Sequence, residues 1–442
     1  VKLIKLKVYN HKALNNFELD FTNTSSNINY IIGNNGSGKS TIFEVILEIF
    51  KAIILQEKIG FSFELTYKIN NKEVFISGEN SKKIVLSDNF SFESDLPHSI
   101  VIYYSGISRK IDDICLAIED DFVATIKKSY FKPRVLFNVK DRHFYYILAA
   151  LLSQEPFEWL AVNSEDNPVG LLGVLRDKTN IESLSLLSLV IEKKSNLLGV
   201  TKEFLEKLES CANDIIVLKG KQIKLNFDNN ALRSFRSEVG LDRDVLKALD
   251  ILYFAGIIVD IDISLNMEYG DINNPIKQVI NANELSEGEK QTCIILGVSE
   301  FFGYKETLYL FDEPDSYLHP SWQLDFNSRL VELSTKQYFL VTTHSPTLIS
   351  RVKKENVFLI DKGQIIQTPH TFGRDFTEIL EDVMGVTEKN PITSPLFDKF
   401  YELVDNEEYL GAEKILKELT NYMGTEDKQI FRARSILEYE RG

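Results

Sequence analysis

Residues 31–41 read IIGNNGSGKST, and Gly33, Gly38, Lys39 and Ser40 fill every fixed place of the pattern G-x-x-x-x-G-K-[ST]. Few short patterns restrict a local fold so tightly. Glycines let successive backbone N–H groups turn inward around an anion, and the lysine reaches the outer phosphates. The hydroxyl that follows can bind Mg²⁺, and a helix starting there aims its positive end at the charge. The flanks agree with this reading. Residues 28–32 form a short apolar run suited to a buried strand, and Ile42, Val45, Ile46, Ile49, Phe50 and Ile53 recur at helical spacing. Strand, loop and helix in that order make a plain glycine-rich turn the weaker alternative. Gly33, Asn34, Asn35, Gly36, Ser37, Gly38, Lys39, Ser40 and Thr41 are therefore the expected phosphate-binding loop.

The chain has 442 residues, room for two or three domains or for one large domain with an insertion. A formal net charge of −15 excludes a generally basic DNA-coating protein and leaves only local basic stripes. Lys127, Lys128, Lys132 and Arg134 form one short cluster, Lys140 and Arg142 another, and Lys219, Lys221 and Lys224 a third. Such clusters are more often a solvated face than a nucleic-acid site. Cys115, Cys211 and Cys293 are far apart and odd in number, which suits reduced thiols. No apolar run reaches transmembrane length and the start of the chain is unlike a signal peptide, so the expected location is cytoplasmic, with no membrane partner.

Taken in order, residues 4–8, 17–21 and 61–69 alternate apolar with polar, Asn70-Asn71 marks a turn, and residues 74–76 return. This is antiparallel sheet beside the phosphate loop, not the next unit of a simple doubly wound fold. Residues 99–104 read as a further strand. From about 107 to 256 the pattern reads mostly helical, with 144–152 and 181–192 as its clear examples and no sustained heptad. Sheet resumes at 257–267. There Asp260 and Asp262 share a strand face, an exposed face rather than a metal pair because no third ligand stands near. The expected organisation is a first lobe 1–106, a mostly helical insertion 107–256, a second lobe 257–370 and a helical segment 371–442. Three amphipathic helices are expected in that last segment, over 397–404, 408–422 and 428–439.

The second half of the site follows. Residues 284–291 read ELSEGEKQ ahead of an apolar helix at 292–302. Four apolar residues, 308–311, then lead to Asp312 and Glu313, the pattern of a Walker B strand. One carboxylate at that tip can hold Mg²⁺ beside the phosphate loop, and the next can polarise an attacking water. Residues 338–341 form another buried run, ending in TTHSP at 342–346. A histidine at such a tip, His344, can contact a γ-phosphate or the attacking water.

Together these segments resemble the ATP-binding-cassette ATPase superfamily, in the branch of SMC, RecF and OLD proteins rather than transporter subunits. The resemblance implies an α/β head, a mixed sheet with a P-loop core plus an antiparallel β subdomain, carrying a helical insertion and a C-terminal helical segment. It implies ATP and Mg²⁺ as ligands, Ser40 and Asp312 on the metal, and Glu313 and His344 as catalytic residues. It also implies that Ser286 and Gly288 contact the γ-phosphate of ATP held by a second copy, in a head-to-tail sandwich dimer or a higher oligomer. Three departures stand out. Glu287 and Glu289 occupy signature places where glycine and glutamine are usual, His319 stands where aspartate is usual, and no glutamine occurs around residues 103–106. The last leaves one Mg²⁺ or water contact unassigned.

Further patches at 100–110, 132–152 and 372–386 are similar to the PtuA family, the ATPases of Septu and retron-associated anti-phage systems. That likeness implies a PtuB-like HNH nuclease partner, with DNA or a retron RT–msDNA complex as a further one. The six histidines form no HNH-like cluster and no Asp-x-Asp pair follows His344, so nuclease activity is expected in a partner chain. The alternatives are a RecF-like DNA-repair ATPase clamping DNA and, more remotely, a transporter's nucleotide subunit.

Overall fold

A computed structural model describes residues 1–105, 109–126, 134–154, 173, 179–269, 276–303, 306–318, 320–333, 337–385 and 390–441. Gly106, Lys127, Lys128, Lys132 and His319 lie outside the described residues. The chain divides into two compact units, Val1–Phe376 and Thr377–Gly442.

In the first unit, β1 (Lys2–Tyr9) pairs with β2 (Phe17–Asp20), and β3 (Ile28–Ile32) runs into helix α1 (Lys39–Ile54). Strands β4 (Ser62–Ile69), β5 (Lys72–Gly78) and β6 (Val85–Leu86) complete an antiparallel sheet ordered β2-β1-β4-β5-β6. Alternation explains it: Phe63, Leu65, Tyr67 and Ile69 are buried on one face, with Val74 and Ile76 on the returning strand. Asn70 and Asn71 take φ of 48° and 64°, the left-handed pair that a two-residue hairpin turn needs.

The chain continues through β7 (Ser99–Tyr104), α2 (Arg109–Ile126), β8 (Leu136–Asn138) and α3 (Arg142–Leu152). It then enters β9 (Ile181–Glu192), α4 (Gly199–Cys211), β10 (Asp214–Val217), β11 (Gln222–Phe227), α5 (Asn229–Val239), α6 (Asp242–Phe254), β12 (Ile258–Tyr269) and β13 (Ile276–Asn281). Here one expectation is corrected. Residues 181–192 are a strand, not a helix, and form the centre of an antiparallel sheet ordered β10-β11-β9-β12-β13. Leu187, Leu189 and Ile191 alternate into the core, but register shifts in the β12 pairing put Ile181 and Leu184 there too. The resulting apolar spacing fits a helix as well as a strand, and pairing on both edges decides between them. Strands on either side of residue 256 thus share one sheet. On it Asp260 is exposed, and Asp262 accepts a hydrogen bond from Asn281 Nδ2 at 2.6 Å.

The remaining elements are α7 (Glu287–Phe302), β14 (Thr307–Asp312), α8 (Pro320–Leu333), β15 (Gln337–Thr342), α9 (Pro346–Ile349), β16 (Val357–Asp361) and β17 (Gln364–Ile366). They complete the central sheet, ordered β17-β16-β3-β15-β14-β7-β8 and parallel except for β17. Every residue of β3, β14 and β15 is buried, as expected for parallel strands covered on both faces. Helix α1 buries Ile42, Phe43, Val45, Ile46, Leu47, Ile49 and Phe50 against this region. Each large apolar side chain so buried contributes about 1.5–3 kcal/mol. Register aligns Ile31 with Thr342, Thr342 with Asp312, and Asp312 with Tyr104, so four strand ends meet at one edge.

In the second unit, α11 (Thr393–Asp405), α12 (Tyr409–Met423) and α13 (Lys428–Arg441) follow the short α10 (Phe376–Asp382). These three pack on one another around Phe400, Val404, Ala412, Leu416, Leu419, Ile430, Ala433 and Leu437. All three cysteines are free. Among the described residues, no helix is long and apolar enough to cross a membrane.

Candidate functional site

The loop between β3 and α1 has the shape its glycines permit. A Cβ on Gly33 would sit 2.2 Å from the backbone oxygen of Ile360, so no larger residue fits there. Lys39 folds back over the loop, donating from Nζ to the carbonyls of Gly33 at 2.8 Å and Asn34 at 3.3 Å. Burial lowers the Lys39 pKa from its ordinary value, with Glu313 and Asp312 acting the other way. Asn34, Asn35 and Gly36 are exposed at the crest, and Thr41 is half-buried. Ser37 Oγ is buried with no hydrogen-bond partner. A buried hydroxyl without a partner, beside a lysine and the start of a helix, suits an anionic guest.

Loop and strand tip then meet. Ser40 Oγ donates to Asp312 Oδ2 at 2.8 Å, and the Thr342 hydroxyl donates to the other oxygen, Oδ1. Burial raises the Asp312 pKa, and the bonds from Thr342 and Ser40 oppose it. Two oxygen donors of this kind suit Mg²⁺, which prefers one or two carboxylates plus phosphates and waters to an all-protein cage. Among the described residues, no group of three or more His, Cys, Asp or Glu is placed to hold a metal ion.

Glu313 follows in the left-handed region, φ 50°. Its N–H donates to the carbonyl of Thr342 at 3.1 Å and to Thr342 Oγ1 at 3.0 Å. Its carboxylate lies 3.3 Å from His344 Nε2, and the two side chains are 38% and 40% exposed. Burial lowers the His344 pKa and Lys39 acts in the same direction, which favours a neutral ring near pH 7. Behind them, burial pushes the Asp315 carboxyl up to about 6.

Ser286 caps α7. Its Oγ accepts from the Glu289 N–H at 3.3 Å, while the Glu289 carboxylate accepts from the N–H and hydroxyl of Ser286 at 2.8 and 2.7 Å. Glu289, one of the departures from the superfamily signature, thereby completes a capping box. Glu287 pairs with Lys290 at 2.9 Å. Gly288 lies against the next loop, because a Cβ there would stand 2.8 Å from the Tyr317 carbonyl oxygen. The bonds of Ser286 just described stay within its own helix turn, whereas Lys39, Ser40, Asp312, Glu313 and His344 gather at one edge of the central sheet.

Several participants escaped the sequence reading. Gln291 Nε2 donates to Tyr103 Oη at 2.9 Å, and the Ser105 N–H donates to the Asp312 carbonyl at 3.4 Å, so the end of β7 is tied both to α7 and to the acidic tip. Thr342 and Thr343 adjoined His344 in TTHSP, and Asp315 followed Glu313 by two places. Nothing local paired them, and no local pattern gave Gln323 a role.

A family model described as AAA ATPase domain matches residues 2–349. The Retron Vc95 probable ATPase of Vibrio cholerae serotype O1 biovar El Tor is 25% identical over 454 residues, covering 91% of this chain and 84% of that protein. The Septu protein PtuA of Bacillus mycoides (strain KBAB4) is 23% identical over 423 residues, covering 91% of this chain. The chain spans only 47% of that PtuA's length. Among solved structures, an Smc head bound to the C-winged helix domain of ScpA covers 83% of this chain and 98% of its own, at 14% identity and a TM-score of 0.37.

Proposed function

The chain belongs to the AAA ATPase domain family, and from that premise we propose that it is the ATP-driven switch of an anti-phage defence pair. ATP with Mg²⁺ joins two copies head to tail, and that state governs a partner nuclease of the HNH type. The observation that carries the nucleotide half is the 2.8 Å bond from Ser40 to Asp312. It brings the phosphate loop and the acidic strand tip to one point from positions 272 apart in the chain. The likeness to retron and Septu proteins supports the defence half.

In this reading the backbone of residues 33–38 and Lys39 hold the outer phosphates, while Ser40 and Asp312 hold Mg²⁺. Bound Mg²⁺ supplies charge neutralisation on the phosphate oxygens. Glu313, held through its N–H by Thr342, orients the attacking water and accepts its proton. His344, neutral near pH 7, donates from one ring nitrogen to the γ-phosphate or to Glu313. Ser286 and Gly288, at the positive end of α7, face ATP held by the second copy. DNA or an RT–msDNA complex is a further partner of the assembled state.

Mg·ATP hydrolysis, nucleotide binding and light scattering test this on the wild type and three variants. Lys39→Ala should lose nucleotide binding. Glu313→Gln should bind ATP, hydrolyse it about 10²- to 10⁴-fold more slowly, and accumulate as a dimer. Ser286→Arg should keep nucleotide binding and lose the dimer. Normal turnover by Glu313→Gln refutes the role given to that residue. Full turnover by a chain that scatters as a monomer ends the two-copy reading. The partner is tested by copurification with a coexpressed PtuB-type HNH nuclease.

A further inference from the structure

Glu313 and His344 stand on different loops, and both side chains are too exposed for packing alone to hold them. Hydrogen bonds behind the pair tie together the two backbone segments that carry them. Asp315, 4% exposed, accepts from Thr343 Oγ1 at 2.7 Å, and Thr343 Oγ1 itself accepts from the Ser345 N–H at 2.9 Å. A hydroxyl has one proton, so this geometry commits it to Asp315. On the other side of His344, Ser345 Oγ donates to Gln323 Oε1 at 2.7 Å. Gln323 Nε2 donates in turn to the carbonyls of Asp315 at 3.1 Å and Leu318 at 3.2 Å. Both neighbours of His344 are therefore fastened to the segment that follows Glu313. The second Asp315 oxygen, Oδ1, is buried with no hydrogen-bond partner. Such a group is costly to bury, so packing alone does not account for an aspartate here.

We propose that Asp315 and Gln323 are positioning residues for hydrolysis, setting the spacing of Glu313 and His344 without touching the nucleotide. The inference rests on the ATPase reading above. Steady-state hydrolysis and equilibrium binding of a fluorescent ATP analogue test it on the full chain. Asp315→Ala should lower kcat about 10- to 100-fold, the range a misplaced catalytic group gives, with nucleotide affinity unchanged. Asp315→Asn keeps an acceptor for Thr343 and should restore most of that loss. Gln323→Ala, at a half-buried position, should lower kcat in the same way by a smaller factor, and it carries the test should Asp315→Ala fail to fold. Wild-type kcat in Asp315→Ala, or in Gln323→Ala where the former does not fold, overturns the proposal. So does a loss of kcat matched by a loss of nucleotide affinity, or no recovery in Asp315→Asn. A wild-type chain that hydrolyses no ATP overturns the ATPase reading and this inference with it; an active wild type beside an equally active Asp315→Ala overturns this inference alone.

Discussion

Replacing Gly288 with alanine adds one carbon at the tip of α7, where the added atom would lie 2.8 Å from the Tyr317 carbonyl oxygen. The obstacle is backbone and cannot swing aside. An ordinary carbon–oxygen contact is about 3.3 Å or longer, so the helix tip and the Tyr317 segment must part by about 0.5 Å. Two terms oppose each other. Alanine gains about 1 kcal/mol over glycine within a helix. Forcing a methyl group into a closely packed contact costs about 1–3 kcal/mol. The expected net effect is a loss of up to about 2 kcal/mol, concentrated on the segment carrying Tyr317. Gln323 holds that segment at the carbonyls of Asp315 and Leu318, so the displacement reaches Glu313 and His344. A fall in kcat of about tenfold follows, with nucleotide affinity kept. Thermal melting of the nucleotide-free chain reads the contact within one copy, apart from any contact across a dimer. If Gly288→Ala melts above the wild type and turns over ATP at the same rate, helix propensity has won and the reasoning fails.

Two further predictions concern the buried cluster at Asp250. Its carboxylate lies 3.3 Å from Arg134 and 3.1 Å from His143 Nε2, with all three side chains less than 10% exposed. Asp250→Ala removes the carboxylate paired with Arg134 and leaves the guanidinium buried among the rings of Phe122, Phe137 and Phe254, so the urea midpoint should report a loss of about 3–5 kcal/mol, and a loss under about 1 kcal/mol would contradict this. In the same cluster the Lys140 N–H donates to His143 Nδ1 at 2.7 Å, which leaves Nε2 to carry the proton toward Asp250. Burial lowers the His143 pKa to about 4, against an ordinary 6.5. A depressed histidine binds fewer protons folded than unfolded, so its stabilisation is complete above 6.5 and is lost as pH falls toward about 4. Melting temperature should drop from neutral pH to mildly acid pH. His143→Gln, which cannot protonate, should shallow that slope, and an unchanged slope would count against the assignment.

The phosphate loop was legible because its chemistry is local: nine consecutive residues contain the glycines, the lysine and the hydroxyl that an anion needs. The hairpin at Asn70-Asn71 was legible for the same reason, since two side chains tolerant of positive φ sit between alternating strands. Residues 181–192 were not, because an apolar run interrupted by register shifts matches two periods equally well, and only pairing to β11 and β12 distinguishes them.

Sequence alone determined which residue types stand at each strand tip: glycines and lysine after β3, two carboxylates after β14, a histidine after β15. Only the tertiary structure decided which of them touch. Asp312 meets Ser40 because β15 lies between β14 and β3 in parallel register, and Asp315 meets Thr343 for the same reason. That register is set by hydrogen bonds between strands tens to hundreds of residues apart. No periodicity within one segment encodes such long-range pairing.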